Sequence, residues 1–269
     1  MNDHFITGKK TMNEIRRHME EYLESTNNIR SKFRRKTQFH PENFADFIKT
    51  SLMETNSFKS FNERLGGSNV RARKAHDYYG WMSKKGRLGA CRGAIYRSQD
   101  YMKIPLEKRS GKRKYKSRGE QYSSHHVHIE HSIPVNTILE YFWQHKDILL
   151  EMDEQKKLHE TFLSISVCTA LTRHEEKLCI KKGLSKKHPE FENGKILTNS
   201  LTDIHPFKRY DFSNGLKIYE VIYGREICPK SFTLRDHINL MAEADIYNWD
   251  TILSWSKTPI FELCPAGWR

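Results

Sequence analysis

His125-His126-Val127-His128-Ile129-Glu130-His131-Ser132-Ile133-Pro134, followed further along by Leu163 to Leu171 and then by Thr172-Arg173-His174-Glu175-Glu176-Lys177, is the part of the chain that decides the fold. The first run is β-branched and His-rich and is ended by Pro134 and Asn136, which predicts a strand over about 126–135. Leu163 to Leu171 reads as a second strand. Thr172 with Glu175 forms a capping box, so a helix opens directly after that strand and runs to Lys182, before the stop at Gly183. Between the strands, Ile138, Leu139, Phe142, Leu149, Met152 and Leu158 recur at helical spacing, so 137–162 reads as a helical insertion. The expected order is strand, helical connection, strand, helix.

The residues in this frame carry chemistry. Hydrolysis of a phosphodiester needs a base to deprotonate water and a cation to neutralise charge on the transition state and leaving oxygen. Glu130 offers a hard oxygen to Mg²⁺, and the neighbouring His131 carries an imidazole, whose intrinsic pKa lies close to neutrality and which can take a proton. His174 is expected in the first turn of its helix, where backbone N–H groups and the helix dipole favour a phosphate, and where an imidazole can ligate a metal. Strand alternation turns His126, His128 and Glu130 to one face and His125 and His131 to the other. His125, His126 and His128 are read as strand-surface residues. Arg173, Lys177 and Lys181, on the helix, are expected to contact phosphate.

Outward from this segment, the chain has 269 residues and a formal charge of +13, enough length for a substantial core and a balance suited to polyanions. The charge is concentrated: between Arg71 and Arg118 there are 16 Lys or Arg against three acids, interleaved with Tyr78, Tyr79, Trp81, Tyr96, Tyr101 and Tyr115. Cations release counterions from a nucleic acid and aromatic rings stack on bases, so this block reads as a polyphosphate-binding surface. Its end, Lys108 to Gly119, lacks apolar periodicity and reads as an exposed loop, with Lys112, Arg113 and Lys114 as phosphate contacts. The five cysteines contain no Cys-x-x-Cys pair, so neither a disulfide framework nor a structural zinc is expected. Met1 to Lys10 lacks the apolar run of a signal peptide, and no stretch nears the length of a membrane span; the expected setting is cytoplasmic, with no membrane partner.

Upstream, Thr11 and Glu14 predict a helix to about Glu24. A second is predicted after Pro41, carrying Phe44, Phe47, Ile48 and Leu52 inward and continuing through Phe58 and Phe61 to Gly66. Downstream, Phe207 to Phe212 and Leu216 to Tyr223 flank Ser213-Asn214-Gly215, which predicts a β-hairpin, and Thr233 with Asp236 caps a helix to about Ala244. The fold class is α+β. Its expected divisions are a helical, basic DNA-binding region (1–107), a basic loop (108–124), a catalytic unit (125–183) and a C-terminal hairpin and helix region (184–269).

Glu-His-Ser-Ile-Pro, then a strand, then Leu-Thr-Arg-His-Glu-Glu-Lys, resembles the motif of the HNH, or ββα-metal, endonucleases over about residues 125–183. The resemblance implies Glu130 as a metal ligand, His131 as general base, His174 as a further ligand and Lys177 as the accompanying cation. It implies a divalent ion, Mg²⁺ with Mn²⁺ as a substitute, and cleavage of double-stranded DNA leaving a 5′-phosphate. Asn136 stands nearest to the family's middle Asn, which positions the hairpin loop. The connection between the strands is longer than the family's usual loop.

Flanking regions this large exceed what cutting alone needs, so a sequence-specific, restriction-type enzyme is expected. Two chains on a twofold axis cut both strands most simply, so a homodimer is one form the sequence leaves open. The sequence leaves open a phage or mobile-element nuclease, an RNase, and a nucleic-acid-binding protein without catalysis.

Overall fold

The computed structural model describes residues 48–65, 94–109, 125–151, 167–212 and 215–243, together with positions 17, 18, 21 and 165. In chain order the elements are α1 (Phe58–Arg64), β1 (Tyr96–Ser98), α2 (Gln99–Lys103), β2 (Val127–His131), α3 (Val135–Gln144), α4 (Lys146–Glu151), β3 (Cys168–Thr172), α5 (Arg173–Lys181), β4 (Phe191–Glu192), β5 (Lys195–Ile196), β6 (Ile218–Glu220), β7 (Glu226–Ile227) and α6 (Leu234–Glu243). Helices and a mixed sheet make this an α+β protein. Among the described residues no helix is long and apolar enough to cross a membrane.

The five-stranded sheet has the order β2-β3-β1-β6-β7. β1 lies parallel to β3, pairing Tyr96 with Thr169, while every other neighbouring pair is antiparallel. β3 is buried along its whole length, as its apolar and small residues Cys168, Ala170 and Leu171 require of an interior strand. β2, at the sheet edge, alternates: Val127, Ile129 and His131 are buried, and His128 and Glu130 are half-buried.

The core is aromatic. Tyr96 meets Phe207 edge-on at 4.7 Å, and its hydroxyl lies 2.7 Å from Nδ1 of His237 on α6. Burial of this kind contributes through apolar area and through the ring-edge geometry. Phe61 of α1 packs against Trp143 of α3, with ring centroids 5.6 Å apart.

Several elements depart from the sequence expectations. The expected first strand ends early, at His131, and Pro134 serves as N-cap of α3. Among the described residues of the insertion the helix is broken at His145 into α3 and α4, and the His145 N–H reaches the carbonyls of both Tyr141 and Phe142. The second strand is shifted to Cys168–Thr172, and Ile165 is helical. The predicted long helix after Pro41 is helical at 48–53, then stops. Ser57 caps α1 anew, its hydroxyl accepting from Ser60 N–H at 3.2 Å. The helix expected after Thr11 lies outside the described residues, apart from positions 17, 18 and 21.

The C-terminal hairpin is also relocated. Residues 208–210 form a 3-10 turn, and Gly215 packs so tightly on it that an added Cβ would lie 2.3 Å from the Tyr210 carbonyl. The hairpin is instead β6 and β7. Its turn is organised by the buried Glu220 carboxylate, which accepts the N–H groups of Ile222, Tyr223 and Arg225. The capped helix α6 stands where it was expected, with the Asp236 carboxylate accepting the Thr233 N–H and hydroxyl at 2.8 Å each. A second hairpin, β4-β5, turns on Asn193-Gly194 with both residues at positive φ.

A candidate metal centre on β2 and α5

β2 and β3 pair in register from Val127 opposite Thr172 to His131 opposite Cys168, and the chain passes from Thr172 directly into α5. Glu175 fixes that corner. One of its carboxylate oxygens accepts from Thr172 N–H at 2.8 Å, from the Thr172 hydroxyl at 2.9 Å and from the Ser98 hydroxyl at 2.6 Å. The capping box therefore also ties the start of α5 to the end of β1. Burial pushes the Glu175 carboxyl up, and the Ser98 and Thr172 hydrogen bonds oppose the rise.

With the corner held, Glu176 comes opposite the half-buried face of β2. Ligand atoms of His128, Glu130 and Glu176 all lie within 4.8 Å of one another. His128 Nε2 is 3.6 Å from a Glu176 oxygen and 3.9 Å from a Glu130 oxygen. The three side chains are 16–23% exposed, open enough to admit an ion or a phosphate and shielded enough to strengthen charge interactions.

Two guanidinium groups flank the cluster. Arg173 pairs with Glu176, three residues on along α5. Arg209, almost wholly buried, donates through one nitrogen to Glu130 at 3.1 Å and to the His131 carbonyl at 2.7 Å. Burial pushes the Glu130 carboxyl up, while Arg209 and then Arg173 draw it back. Two carboxylates and an imidazole are a donor set suited to a divalent ion: the oxygens match Mg²⁺ or Mn²⁺, and the nitrogen suits the softer transition metals. The residues present therefore fit the metal that the HNH resemblance implies.

Of the residues expected at the site, Glu130 is in this cluster. His131 is buried, and strand alternation turns its side chain to the face shared by Val127 and Ile129. His174 is exposed at the second position of α5 and is not part of the cluster. Asn136 sits in the first turn of α3, where its side-chain amide donates to Glu140 at 2.8 Å. Lys177 and Lys181 are exposed on α5, and Lys112, Arg113 and Lys114 lie outside the described residues.

His128, read from the sequence as a strand-surface residue, instead joins the carboxylates, and the alternation that put it on the Glu130 face was the available signal. Glu176 was in view too, four residues from the helix cap at Thr172. Nothing local pointed to Arg209, which reaches β2 from a turn 78 residues beyond His131.

The basic block also divides. Arg97 and Arg109 both donate to Glu21, at 3.1 and 2.7 Å, and their side chains are fully buried. Tyr96 and Tyr101 are core residues, and the Arg109 guanidinium lies 4.6 Å from the Tyr101 ring centroid. These cations and rings hold the interior and are not part of a nucleic-acid surface.

No family model, no curated protein and no solved structure matches the chain.

Proposed function

We propose that this protein is a divalent-metal-dependent endonuclease of the HNH type that hydrolyses double-stranded DNA to leave 5′-phosphates. The reading rests on one observation: an antiparallel strand pair runs through a capping box into a helix, and that corner gathers His128, Glu130 and Glu176 around a common point. In this reading β2, β3 and α5 are the catalytic ββα unit. The regions before and after it in the chain would serve sequence-specific cutting of the restriction type.

Glu130 and Glu176 would hold Mg²⁺ or Mn²⁺ through carboxylate oxygens, with His128 beside them. When bound, such an ion neutralises charge developing on the phosphoryl oxygens and makes a coordinated water more acidic. The chain's own groups do the rest. His128 is the imidazole on the carboxylate face and accepts the proton of the attacking water, the role the motif resemblance gives to His131. Arg209 orients Glu130, and Arg173 limits the negative charge that would otherwise build up between the two carboxylates.

The test is incubation of the purified chain with supercoiled plasmid and with matched DNA and RNA duplexes, in Mg²⁺, Mn²⁺ or EDTA. Metal-dependent DNA fragments that disappear in Glu130→Gln and Glu176→Gln are expected. Cutting of RNA alone would replace the DNA reading with that of a ribonuclease, and no cutting under any metal would sink the enzyme reading.

A further inference from the structure

From Lys177 to Pro189 the chain carries five lysines, Lys177, Lys181, Lys182, Lys186 and Lys187, and no acid. All five are exposed. Among the described residues Lys181, Lys182, Lys186 and Lys187 form no ion pair. By contrast, Lys103, Lys217 and Lys230 each face a carboxylate, at 2.8, 3.8 and 3.8 Å. Cations near a helix C-terminus complement its dipole, which accounts for Lys181 and Lys182. It does not account for Lys186 and Lys187, beyond the helix.

The backbone under these lysines is held. Gly183, at φ 73°, ends α5, and the Leu184 N–H returns to the Cys179 carbonyl at 3.0 Å. The Thr137 hydroxyl, from α3, then donates to the Lys186 carbonyl at 3.2 Å. The backbone on both sides of Gly183 is therefore held, Lys177 and Lys181 lie one helical turn apart on the same side of α5, and the exposed run of lysines begins one residue after Glu176 in the sequence.

We infer that the lysine run Lys177–Lys187 is the surface on which duplex DNA lays its phosphate backbone as it enters the metal centre. This deepens the nuclease reading and rests on it. A run of exposed, backbone-anchored cations that starts one residue after Glu176 matches the charge of one ligand, a polynucleotide strand. Lysines of this kind position the duplex without reading its sequence.

The experiment measures binding of the full chain to a fluorescein-labelled duplex by anisotropy in EDTA, over a series of salt concentrations. The chain is compared with a variant in which all five lysines are changed to Gln and one in which they are changed to Arg. The slope of log affinity against log salt falls by about 0.9 for each phosphate that the protein ceases to neutralise. The Gln variant, with an unchanged melting temperature, is expected to be shallower by at least about 2, and the Arg variant to keep the parent slope. If the parent binds and cuts DNA and the Gln variant keeps its slope, this inference is overturned and the nuclease reading stands. If the parent neither binds nor cuts DNA, both fall.

Discussion

Arg209 offers the sharpest test of how the site is held together. Its side chain is 1% exposed, and a single nitrogen serves both the Glu130 carboxylate and the His131 carbonyl. Arg209→Met keeps apolar bulk but leaves a carboxylate without its buried cation and a carbonyl without a donor. Breaking a buried pair from one side costs about 3–5 kcal/mol. Glu130 retains 22% exposure, so water recovers part of this, and a loss of about 3 kcal/mol in urea unfolding is expected.

Arg209→Lys keeps the charge and loses the fork, and should cost about 1–2 kcal/mol. Glu130→Gln in the Met background should add little, because the carboxylate it removes has already lost its partner. That non-additivity, about 2 kcal/mol in a double-mutant cycle, is the signature of the pair. A loss in Arg209→Met below about 0.5 kcal/mol, or strict additivity with Glu130→Gln, would refute the positioning role.

Three further outcomes are expected. His128→Ala should abolish metal-dependent cutting with DNA affinity in EDTA unchanged, and full activity in that variant would refute His128 as the base. Burial holds His188 and His237 neutral down to about 3, against about 6.5 in the unfolded chain, so the unfolded state alone takes up protons below pH 6.5. Stability should be complete above that pH and fall on the order of 1 kcal/mol per pH unit for each histidine as pH drops towards 3; a urea midpoint that stays flat from pH 6.5 to 4.5 would contradict this. Gly194→Ala should lose about 2–4 kcal/mol in thermal or urea unfolding, because φ is 79° and a Cβ would stand 2.5 Å from the Glu140 carbonyl; a neutral substitution would mean that α3 and the β4-β5 turn move apart easily.

The strand, strand and capped helix around Glu130 and Thr172 were legible because their signals are local: alternation, a capping box and a stop at Gly183. The hairpin at Ser213-Asn214-Gly215 misled for the converse reason. Residues 208–210 form a 3-10 turn against which Gly215 packs closely, and tertiary burial of Arg209 and Tyr210 outweighs the strand propensity of Phe207 to Phe212. The same dipeptide at Asn193-Gly194 does turn a hairpin, joining β4 and β5. The site followed the same division. Glu130 came from its neighbours in sequence, and His128 was on the right face. The partnership of Glu176 and Arg209 with that face depends on the angle at which α5 and the 208–210 turn meet the sheet, which no local pattern encodes.

The place of β1 in the sheet bears on how this protein can be dissected and made. Among the described residues β3 reaches β1, β6 and β7 through its parallel pairing with β1, which is synthesised well before it. A fragment beginning after Arg109 would keep His128, Glu130 and Glu176 on β2 and α5, yet would lack Ser98, which steadies Glu175, and would expose β3 as a bare hydrophobic edge inviting intermolecular pairing. During translation the same geometry works in reverse: β1 emerges with its edge open and must await a partner from later in the chain. Minimal versions of the hairpin and helix should therefore be insoluble unless β1 is supplied, either by circular permutation or as a separate segment.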